Sequence, residues 1–410
     1  MATKKSRKKP TMGRLQVKNL GPVVEADVTF GDLTVIVGPQ ATGKSVLLET
    51  LKLVIDRDHI HDTFSRYSVV FSGNGEGSKA FLGGFYGPGM VGADGGDVEI
   101  SWNGRNMTLA SLSKRGRGKG ESREEVFFIP AQRVVSLPKG ISQNFGTFDY
   151  GDPYVLRRFS DTVHHLLQNE FGSKAKLFPQ ANRLNETLRK PISKHFYGGA
   201  SLEVEARDFT NRLVLKIPGS MEGLPFLAWS AGQREFTPLL LGLYWLCPAG
   251  ATSLRDPLQW VVIEEPEMGL HPLAISSLLL VVLELMRRGY RVVISTHSPV
   301  VLDMVWALRQ FQDLGCEESD VRYLFDLTKS SYNSALARSA LEKEYRVYFF
   351  DRGKPVQDIS DLDPGAADSN EAHWGGLTGF ASRTGEAIAR AVNRFESRSS
   401  QFGAVSREED

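Results

Sequence analysis

The chain has few of the features that mark specialised classes of protein. Only two cysteines, Cys247 and Cys316, occur among its 410 residues. They are too few for a disulfide framework or a zinc cluster, and they fit a reducing cytoplasm. The formal net charge is only +1, so the whole chain gives no electrostatic argument for nucleic acid as a partner. No apolar run is long enough to span a bilayer. The run "ISSLLLVVLEL" (275–285) predicts a buried helix instead, so no membrane partner is expected.

The composition is that of a globular protein, with 41% hydrophobic and 24% charged residues. The length allows one large domain or two ordinary ones. The N-terminal run "KKSRKKP" has no apolar h-region, so a disordered basic arm is expected there rather than a secretory signal. That arm is either a solvated tail or a weak contact for nucleic acid or a partner. The predicted divisions are the arm (1–12), a first lobe with a β-subdomain (13–149), a helical insertion (150–225), a second part of the lobe (226–330) and a C-terminal accessory region (331–410).

Buried strands alternate with helices over much of the chain. The runs "LTVIV" (33–37), "LQWVVIEEP" and "RVVIST" are continuously apolar, which is typical of parallel strands buried on both faces. Residues before "LTVIV" predict an antiparallel β-meander, and "YRVYFF" with "KPVQDIS" predicts an extended pair near the C-terminus. The pattern therefore predicts an α/β fold, with a mixed sheet, flanking helices, an N-terminal antiparallel β part and a short helical insertion.

The stretch "GPQATGKS" (38–45) matches the phosphate-binding pattern G-x-x-x-x-G-K-[ST], and it lies between a buried strand and a helix. Gly38 and Gly43 allow the backbone to wrap so that amide N–H groups point at phosphate oxygens. Lys44 supplies a point charge to the β- and γ-phosphates, and the Ser45 hydroxyl is suited to bind Mg²⁺. The predicted nucleotide-binding residues here are Gly38, Pro39, Ala41, Thr42, Gly43, Lys44 and Ser45.

Two adjacent carboxylates, Glu264 and Glu265, end the buried run "LQWVVIEEP". Burying a carboxylate is costly unless a cation compensates its charge. Transfer of the γ-phosphate of ATP requires a carboxylate that orients Mg²⁺ and a group that positions the attacking water. On a strand beside the P-loop strand, Glu264 would be the Mg²⁺-side acid and Glu265 the general base or water-positioning residue. The alternative is a solvated glutamate pair at a strand end.

Two further stretches fit the same chemistry. The run "VVISTHSP" (292–299) ends a buried strand at His297, which can contact the γ-phosphate or the attacking water. A purely structural histidine is the alternative. The stretch "LAWSAGQREFTPLL" (227–240) begins a predicted helix at Ser230, Gly232 and Gln233. A helix N-terminus of small residues is an anion site, although an ordinary capped helix start has the same appearance.

These motifs, in this order, resemble the ABC-type ATPase heads of the SMC and recombination-repair group. More narrowly, they resemble the compact AAA_15/AAA_21 ATPases related to the OLD proteins. The resembling elements are the P-loop "GPQATGKS", the signature "SAGQ", the Walker B run "VVIEEPE", the D-loop-like "MGLHP" and the histidine run "STHSP".

The resemblance implies a P-loop NTPase fold of the ABC-ATPase type, with ATP and Mg²⁺ as cofactors. It implies a dimer in which ATP lies between the P-loop of one subunit and the signature of the other, so that Ser230, Gly232 and Gln233 would act in trans. It also implies that a glutamine at a strand end contacts Mg²⁺ and the water. Gln132 in "FFIPAQR" is the residue that fits.

The sequence departs from the family pattern at two points. The Walker B position that is most often aspartate in this fold is Glu264 here, which changes the expected Mg²⁺ geometry by one methylene. No aromatic residue stands where transporter-type ABC domains stack adenine, so the sequence does not assign the base contact.

The resemblance extends to the biological role. OLD-type nucleases carry a second, metal-binding nuclease domain, whereas residues 305–410 are too short for one, so no nuclease activity is expected in this chain. An ATPase of this build resembles the regulatory subunits of bacterial anti-phage systems, first the AriA-type ATPases of PARIS and second those of Septu. The partners implied are further copies of the chain, a separate effector nuclease and a phage-encoded trigger protein.

A different class of function is a DNA-clamping ATPase in repair or processing. Its phosphate contacts would come from the basic arm and from the loop "SKRGRGKGESR", with Lys114, Arg115, Arg117 and Lys119. A solvated, flexible loop is the preferred interpretation of these residues, so DNA is a possible partner that is not favoured. The motor subunit of a membrane transporter is disfavoured because nothing in the insertion suggests a coupling helix.

Overall fold

In the computed structural model of the chain, residues 13–71, 75–90, 97–116, 122–171, 176–207, 210–250 and 253–405 are described. The strands are β1 (Arg14–Leu20), β2 (Val23–Thr29), β3 (Leu33–Val37), β4 (Glu99–Trp102), β5 (Arg105–Met107), β6 (Val126–Ile129), β7 (Lys176–Phe178), β8 (Ser201–Arg207), β9 (Thr210–Lys216), β10 (Leu224–Pro225), β11 (Trp260–Glu264), β12 (Arg291–Ser295), β13 (Tyr345–Phe349) and β14 (Gln357–Asp358). The helices are α1 (Lys44–Arg66), α2 (Gly75–Tyr86), α3 (Leu109–Leu112), α4 (Tyr154–His165), α5 (Glu186–His195), α6 (Ala231–Leu246), α7 (Pro272–Arg288), α8 (Pro299–Asp313), α9 (Glu318–Leu324), α10 (Ser331–Leu341), α11 (Ser369–Ala372) and α12 (Gly379–Val405).

A six-stranded sheet in the order β14-β13-β3-β12-β11-β6 forms the centre of the fold. Strands β13, β3, β12, β11 and β6 are parallel, and only β14 runs antiparallel to its neighbour. The mixed sheet with flanking helices is therefore confirmed. The predicted position of the acidic strand was wrong, because β12 and not β11 pairs with the P-loop strand β3. The carboxyl ends of β3, β12, β11 and β6 nevertheless meet at one edge of the sheet.

The central strands are mostly apolar because both faces of the sheet are covered. All five residues of β3 and all five of β11 are buried. Alternate side chains point to opposite faces, so that Val35 and Ile263 join one apolar core, whereas Ile36 and Val262 join the other. The first core is covered by helices that include α4, α6, α7 and α8, and the second by α1, α2 and the N-terminal strands. Helix α7 contains the whole run 275–285 that was predicted as a buried helix.

The N-terminal part contains the antiparallel sheet β2-β1-β4-β5, as the β-meander predicted. The insertion differs from its prediction. Residues 150–225 contain α4, a π-helical turn at Leu166–Glu170 and α5, but also the strands β7, β8, β9 and β10, which form a second antiparallel sheet. The helical prediction was therefore correct for α4 and α5 and wrong for the strands β7 to β10. Alternation in "SLEVEAR" and "TNRLVLK" is the strand signal that the prediction missed.

The C-terminal region belongs to the central sheet and does not form a separate unit. Strand β13 pairs in parallel with β3, with Tyr345 opposite Leu33 and Phe349 opposite Val37. The predicted extended pair is confirmed, since β14 runs antiparallel to β13. Helix α12 then leaves this body, and residues 381–395 of it are all exposed. Among the described residues, no helix combines the length and the apolar character needed to cross a bilayer. The basic arm (1–12), Arg117 and Lys119 lie outside the described residues.

Candidate active site

The P-loop connects the carboxyl end of β3 to the N-terminus of α1 in a backbone conformation that requires glycine. Gly38 has a φ of 144° and Gly43 a φ of 97°. A Cβ on Gly38 would lie 2.2 Å from the carbonyl oxygen of Phe350, and one on Gly43 would lie 2.5 Å from Cγ2 of Val23. Ala41 also has a positive φ of 59°. The loop therefore wraps tightly against its neighbours, and α1 starts at Gly43 with no side chain capping its N–H groups. These are the donors that anions bind.

Lys44 and Thr42 stabilise this loop from within. The Lys44 Nζ donates to the carbonyl oxygens of Gly38 and Pro39, each at 2.7 Å, and the Thr42 hydroxyl donates to the Pro39 carbonyl at 2.9 Å. Lys44 is only 7% exposed. Burial lowers the pKa of Lys44, while the charges of three carboxylates raise it, namely Glu265, Glu264 and Glu267. The ammonium group thus lies in the field of the Walker B acids.

Glu264 ends strand β11 and is 4% exposed. Its Oε2 accepts a hydrogen bond from the Ala131 amide at 3.2 Å, whereas its Oε1 is buried without a hydrogen-bond partner. Burial raises the pKa of Glu264, and the nearby Ser45 hydroxyl and Ala131 amide lower it. The structure therefore brings Ser45 and Glu264 together across the sheet edge, as the motifs predicted.

Glu265 leaves the strand in an unusual backbone conformation. Its φ is +42°, in the left-handed region that non-glycine residues seldom adopt and that is often found at functional sites. The Glu265 amide donates to the Ser295 carbonyl at 2.9 Å, and the Glu265 Oε1 lies 3.5 Å from His297 Nε2. The left-handed turn separates the two adjacent carboxylates, because Glu264 stays buried while the side chain of Glu265 is 34% exposed and lies beside His297.

Glu267 holds the histidine loop against the Walker B turn, a contact that the sequence did not predict. Its Oε1 accepts hydrogen bonds from the Thr296 hydroxyl at 2.8 Å and from the His297 amide at 2.6 Å. Hydrogen bonds to an ionised carboxylate are stronger than neutral ones. The third acid of "EEPE" therefore fixes the backbone from which His297 reaches Glu265.

Arg133 is a second residue that sequence reasoning did not assign. It is fully buried, and it follows Gln132 in the run "FFIPAQR". Its guanidinium donates to the backbone carbonyls of Glu264 at 2.9 Å and Glu265 at 3.1 Å, as well as to those of Glu235 and Pro130. Burial lowers the pKa of Arg133, and the acids around it raise it, with Glu235 first. No local pattern could have found this residue, since most of its acceptors are more than 100 residues away.

Glu49 is a third such residue. It lies one helical turn after Ser45 in α1, is 6% exposed, and its Oε2 has no hydrogen-bond partner. Burial, followed by the charge of Glu264, raises the pKa of Glu49 well above its usual value. The signal in the sequence was an acid inside the otherwise apolar stretch "VLLETL". Two buried carboxylates, Glu49 and Glu264, thus lie near Ser45.

The signature residues form the start of α6. Ser230 caps the helix, its hydroxyl accepting from the Gln233 amide at 3.3 Å, while the Gln233 Oε1 accepts from the Ser230 amide at 3.0 Å. Gly232 packs on the D-loop-like segment, because a Cβ there would lie 2.7 Å from the Gly269 carbonyl oxygen. Among the described contacts, none joins Ser230, Gly232 or Gln233 to the P-loop of the same chain.

The residues present suit a bound Mg²⁺ ion. Mg²⁺ prefers oxygen ligands and is usually held by one or two carboxylates, phosphates and water. The Ser45 hydroxyl and the unpartnered, buried Oε1 of Glu264 are ligands of this type. Gln132 lies at the carboxyl end of β6, at the same sheet edge, with an exposed side chain. The part of the chain that is described contains no group of three or more His, Cys, Asp or Glu residues that could hold a metal by themselves. A Mg²⁺ ion here would therefore depend on nucleotide phosphates.

Comparison with known proteins gives one family match. Residues 120–303 match the AAA_21 family, described as "AAA domain, putative AbiEii toxin, Type IV TA system". The match is shorter than half of the chain; it contains the signature, Walker B and histidine runs, and the P-loop lies before it. No curated protein matches the chain.

Several solved structures of SMC heads are similar at a low level. An Smc head bound to the C-winged helix domain of ScpA is 13% identical with a TM-score of 0.39, covering 72% of this chain and 91% of that one. The SMC head domain from Thermotoga maritima is 15% identical with a TM-score of 0.33, covering 71% and 91%. An Smc head with an extended coiled coil, bound to the C-terminal domain of ScpA derived from Pyrococcus furiosus, is 12% identical with a TM-score of 0.36, covering 85% and 96%. These likenesses are too distant to carry any conclusion.

The fold, the site and the family match agree with one another. A P-loop follows a central parallel strand, two acids end another strand of the sheet, and a histidine follows the strand between them. The AAA match covers the second half of this arrangement. The chain therefore has a mixed α/β fold of the P-loop NTPase type, and its residues 120–303 are similar to the AAA_21 family.

Proposed function

We propose that the protein binds and hydrolyses ATP as the regulatory subunit of a cytoplasmic bacterial anti-phage complex, in which it holds a separate effector nuclease and releases or activates it. The observation that carries the ATPase part is the geometry at Glu265. A strained backbone conformation, a histidine 3.5 Å away and a fixed neighbouring loop present one partly exposed carboxylate beside the P-loop lysine.

Each residue has a role in the proposed reaction. The P-loop amides and Lys44 bind the phosphates, while Ser45, Glu264 and Gln132 would hold Mg²⁺, which would supply positive charge against the transferred phosphoryl group. Glu265 accepts a hydrogen bond or proton from the attacking water. His297 lies beside Glu265 and contacts the γ-phosphate or the same water, so that loss of the phosphate alters the histidine loop.

The signature supports a composite site made by two copies of the chain. Ser230, Gly232 and Gln233 lie at a helix N-terminus, where backbone N–H groups favour an anion. Since no described contact joins them to their own P-loop, we propose that they bind the γ-phosphate of a second copy. ATP would then lie between two subunits, and its occupancy would control assembly. Larger assemblies can be built from such dimers.

The regulatory role is supported by the family match. The description of the matched family names a toxin and a toxin–antitoxin system, which fits a protein that acts in cellular defence. We propose that the toxic activity belongs to a separate effector nuclease, that a phage-encoded protein is the trigger, and that this chain has no nuclease activity of its own. The PARIS ATPases are the first choice of system and the Septu ATPases the second.

ATP hydrolysis and ATP binding by purified variants test the first part. Lys44→Ala is expected to abolish ATP binding and hydrolysis because it removes the cation that contacts the phosphates. Glu265→Gln is expected to keep ATP binding, lower kcat at least about 100-fold and accumulate an ATP-loaded oligomer in light scattering. Lys194→Ala, an exposed lysine on α5, is the control. Normal hydrolysis by Glu265→Gln would refute the assignment of the base.

The identity of the binding partner distinguishes the proposed sensor function from the alternative function of a DNA clamp. Co-expression with the products of neighbouring genes, followed by purification, is expected to yield a stable complex with an effector. Salt-dependent binding of duplex DNA by the isolated protein would support the clamp instead. One of the basic residues proposed for DNA, Arg115, already forms an ion pair with Asp62, with Nε 2.6 Å from Oδ1.

A further inference from the structure

Arg133 contacts the loop after β6, the Walker B turn and the signature helix. Its described hydrogen bonds all go to backbone carbonyls and none goes to a side-chain carboxylate. We infer that Arg133 is a positioning residue, which holds the left-handed turn at Glu265 in its catalytic conformation and ties that turn to the signature helix α6. The inference rests on the proposed hydrolysis of ATP, and it does not depend on the identity of any partner.

The contacts of Arg133 are the first argument. A fully buried guanidinium is costly unless its N–H groups are satisfied, and here backbone carbonyls satisfy them. Nη1 donates to the Glu264 carbonyl at 2.9 Å, and Nη2 donates to the Glu265 carbonyl at 3.1 Å. The two carbonyls flank the residue whose φ is +42°. The planar fork of arginine fixes the distance between its donors, so it fixes the orientation of the peptide planes at this turn.

The strain at Glu265 is the second argument. A non-glycine residue in the left-handed region is strained, and it keeps that conformation only where its surroundings enforce it. The amide side of Glu265 is held by the Ser295 carbonyl at 2.9 Å. Arg133 holds the carbonyl side. Without Arg133, the turn has one restraint fewer on the conformation that sends the Glu265 side chain toward His297.

Arg133 also links the catalytic turn to the signature helix. The Nε of Arg133 donates to the carbonyl of Glu235 at 3.1 Å, which lies in α6 two residues after the signature glutamine Gln233. One rigid side chain therefore joins the backbone of the signature helix to the backbone of the catalytic turn. A displacement of α6 on contact with a second copy of the chain would be transmitted to Glu265 through this group.

The test compares ATP affinity, kcat and thermal stability for Arg133→Met and Arg133→Lys. Arg133→Met is expected to bind ATP within about 3-fold of the wild-type affinity and to lower kcat at least about 30-fold, because the P-loop is untouched and the base is misplaced. Arg133→Lys keeps the charge, but all the donors of lysine are on one nitrogen. Its kcat is therefore expected to lie between those of the wild type and Arg133→Met. The matched control is Arg183→Met. Arg183 is 6% exposed and donates to the Tyr244 carbonyl and to Glu170, so it tests the general cost of removing a buried arginine.

The double variant with Glu265→Gln decides whether Arg133 acts through Glu265. If it does, adding Arg133→Met to Glu265→Gln produces no further loss in the single-turnover rate. Independent, multiplicative losses would overturn the inference, as would a kcat for Arg133→Met equal to that of Arg183→Met. Should Arg133→Met fail to fold, Arg133→Lys carries the same comparisons. Absence of hydrolysis in the wild type would instead refute the proposed function.

Discussion

At the scale of single residues, the adjacent acids Glu264 and Glu265 show how the backbone assigns different roles to identical side chains. Glu264 keeps the strand conformation of β11 and is buried beside Ser45. Glu265 has a positive φ, and its side chain is more exposed and lies beside His297. The pKa of Glu264 is raised by its burial, which a bound cation would offset. The chemistry therefore depends on one backbone turn as well as on residue type.

A pH dependence of stability is expected from His59, a buried residue of α1. It is 8% exposed, and its pKa is lowered to about 4. Burial is the main cause; the charge of Glu124 opposes this shift, whereas the charges of Lys52 and Arg158 add to it. The unfolded chain binds a proton near pH 6.5 while the folded chain does not, so this histidine removes stability as the pH falls from 6.5 toward 4.

The measurement is urea unfolding of the wild type and of His59→Gln at pH 7 and pH 5. The stability of the wild type relative to the variant is expected to fall by roughly 2 kcal/mol between these pH values. The carboxylates around His59 are the same in both proteins, so the difference isolates the histidine. Parallel changes in the two proteins would show that His59 takes up a proton when folded.

Residues that bind phosphate could be predicted from sequence, whereas residues that orient the acids could not. The P-loop is a local motif, since its glycines, Lys44 and Ser45 stand within eight positions. The roles of Arg133 and Glu267 depend on contacts between separate strand ends, and neither residue belongs to a repeated pattern. Glu49 could be predicted in part. The sequence shows an acid in an apolar stretch of helix, but it does not show that Glu264 is the neighbour of this acid in space.

At the scale of elements, the junction between β3 and β13 explains why the loop after β3 starts with glycine. Phe350, which follows β13, donates its amide to the Val37 carbonyl at 2.8 Å, and its own carbonyl oxygen lies where a Cβ of residue 38 would stand. The glycine of the phosphate-binding motif is therefore required by strand packing as well as by phosphate. The sequence predicted both strands but gave no indication that they are neighbours, because parallel pairing leaves no local signal.

Gly38→Ala and Gly353→Ala form a matched pair that tests this junction by thermal or urea unfolding. Gly38 has a φ of 144° and no space for a Cβ, whereas Gly353 has a φ of 68° and nothing within 4 Å of its Cβ position. Gly353→Ala is expected to cost about 1 kcal/mol from its backbone conformation alone. Gly38→Ala is expected to cost at least about 2 kcal/mol more, because the β13 backbone must shift. Equal costs would contradict the packing argument.

At the scale of the whole molecule, α12 is separate from the two apolar cores. Residues 380–395 are all exposed, including the large apolar side chains of Phe380, Ile388 and Val392 at 76%, 59% and 47%. In contrast, Trp374 just before the helix is 6% exposed and packs in the core. The folded body therefore ends near residue 378.

Removal of residues 379–410 is expected to leave the melting temperature within about 2 °C of the full chain, since little apolar area is lost from the interior. Differential scanning calorimetry of both proteins measures this. Truncation before Trp374 is the contrasting variant and is expected to lower the melting temperature. A large drop on removing only 379–410 would show that α12 supports the body.

The central position of β3 has a consequence for the order in which the protein can fold. Leu33 in β3 pairs with Val292 in β12 and with Tyr345 in β13, roughly 260 and 310 residues later, and such distant pairing slows folding. During synthesis on a ribosome, the nucleotide-binding strand emerges early but has no sheet partner until most of the chain has been made. Its apolar segment must stay soluble for that interval, so the nascent N-terminal part is a natural client for chaperones. A ribosome-bound fragment ending near residue 290 would have a complete P-loop sequence and no strand beside it.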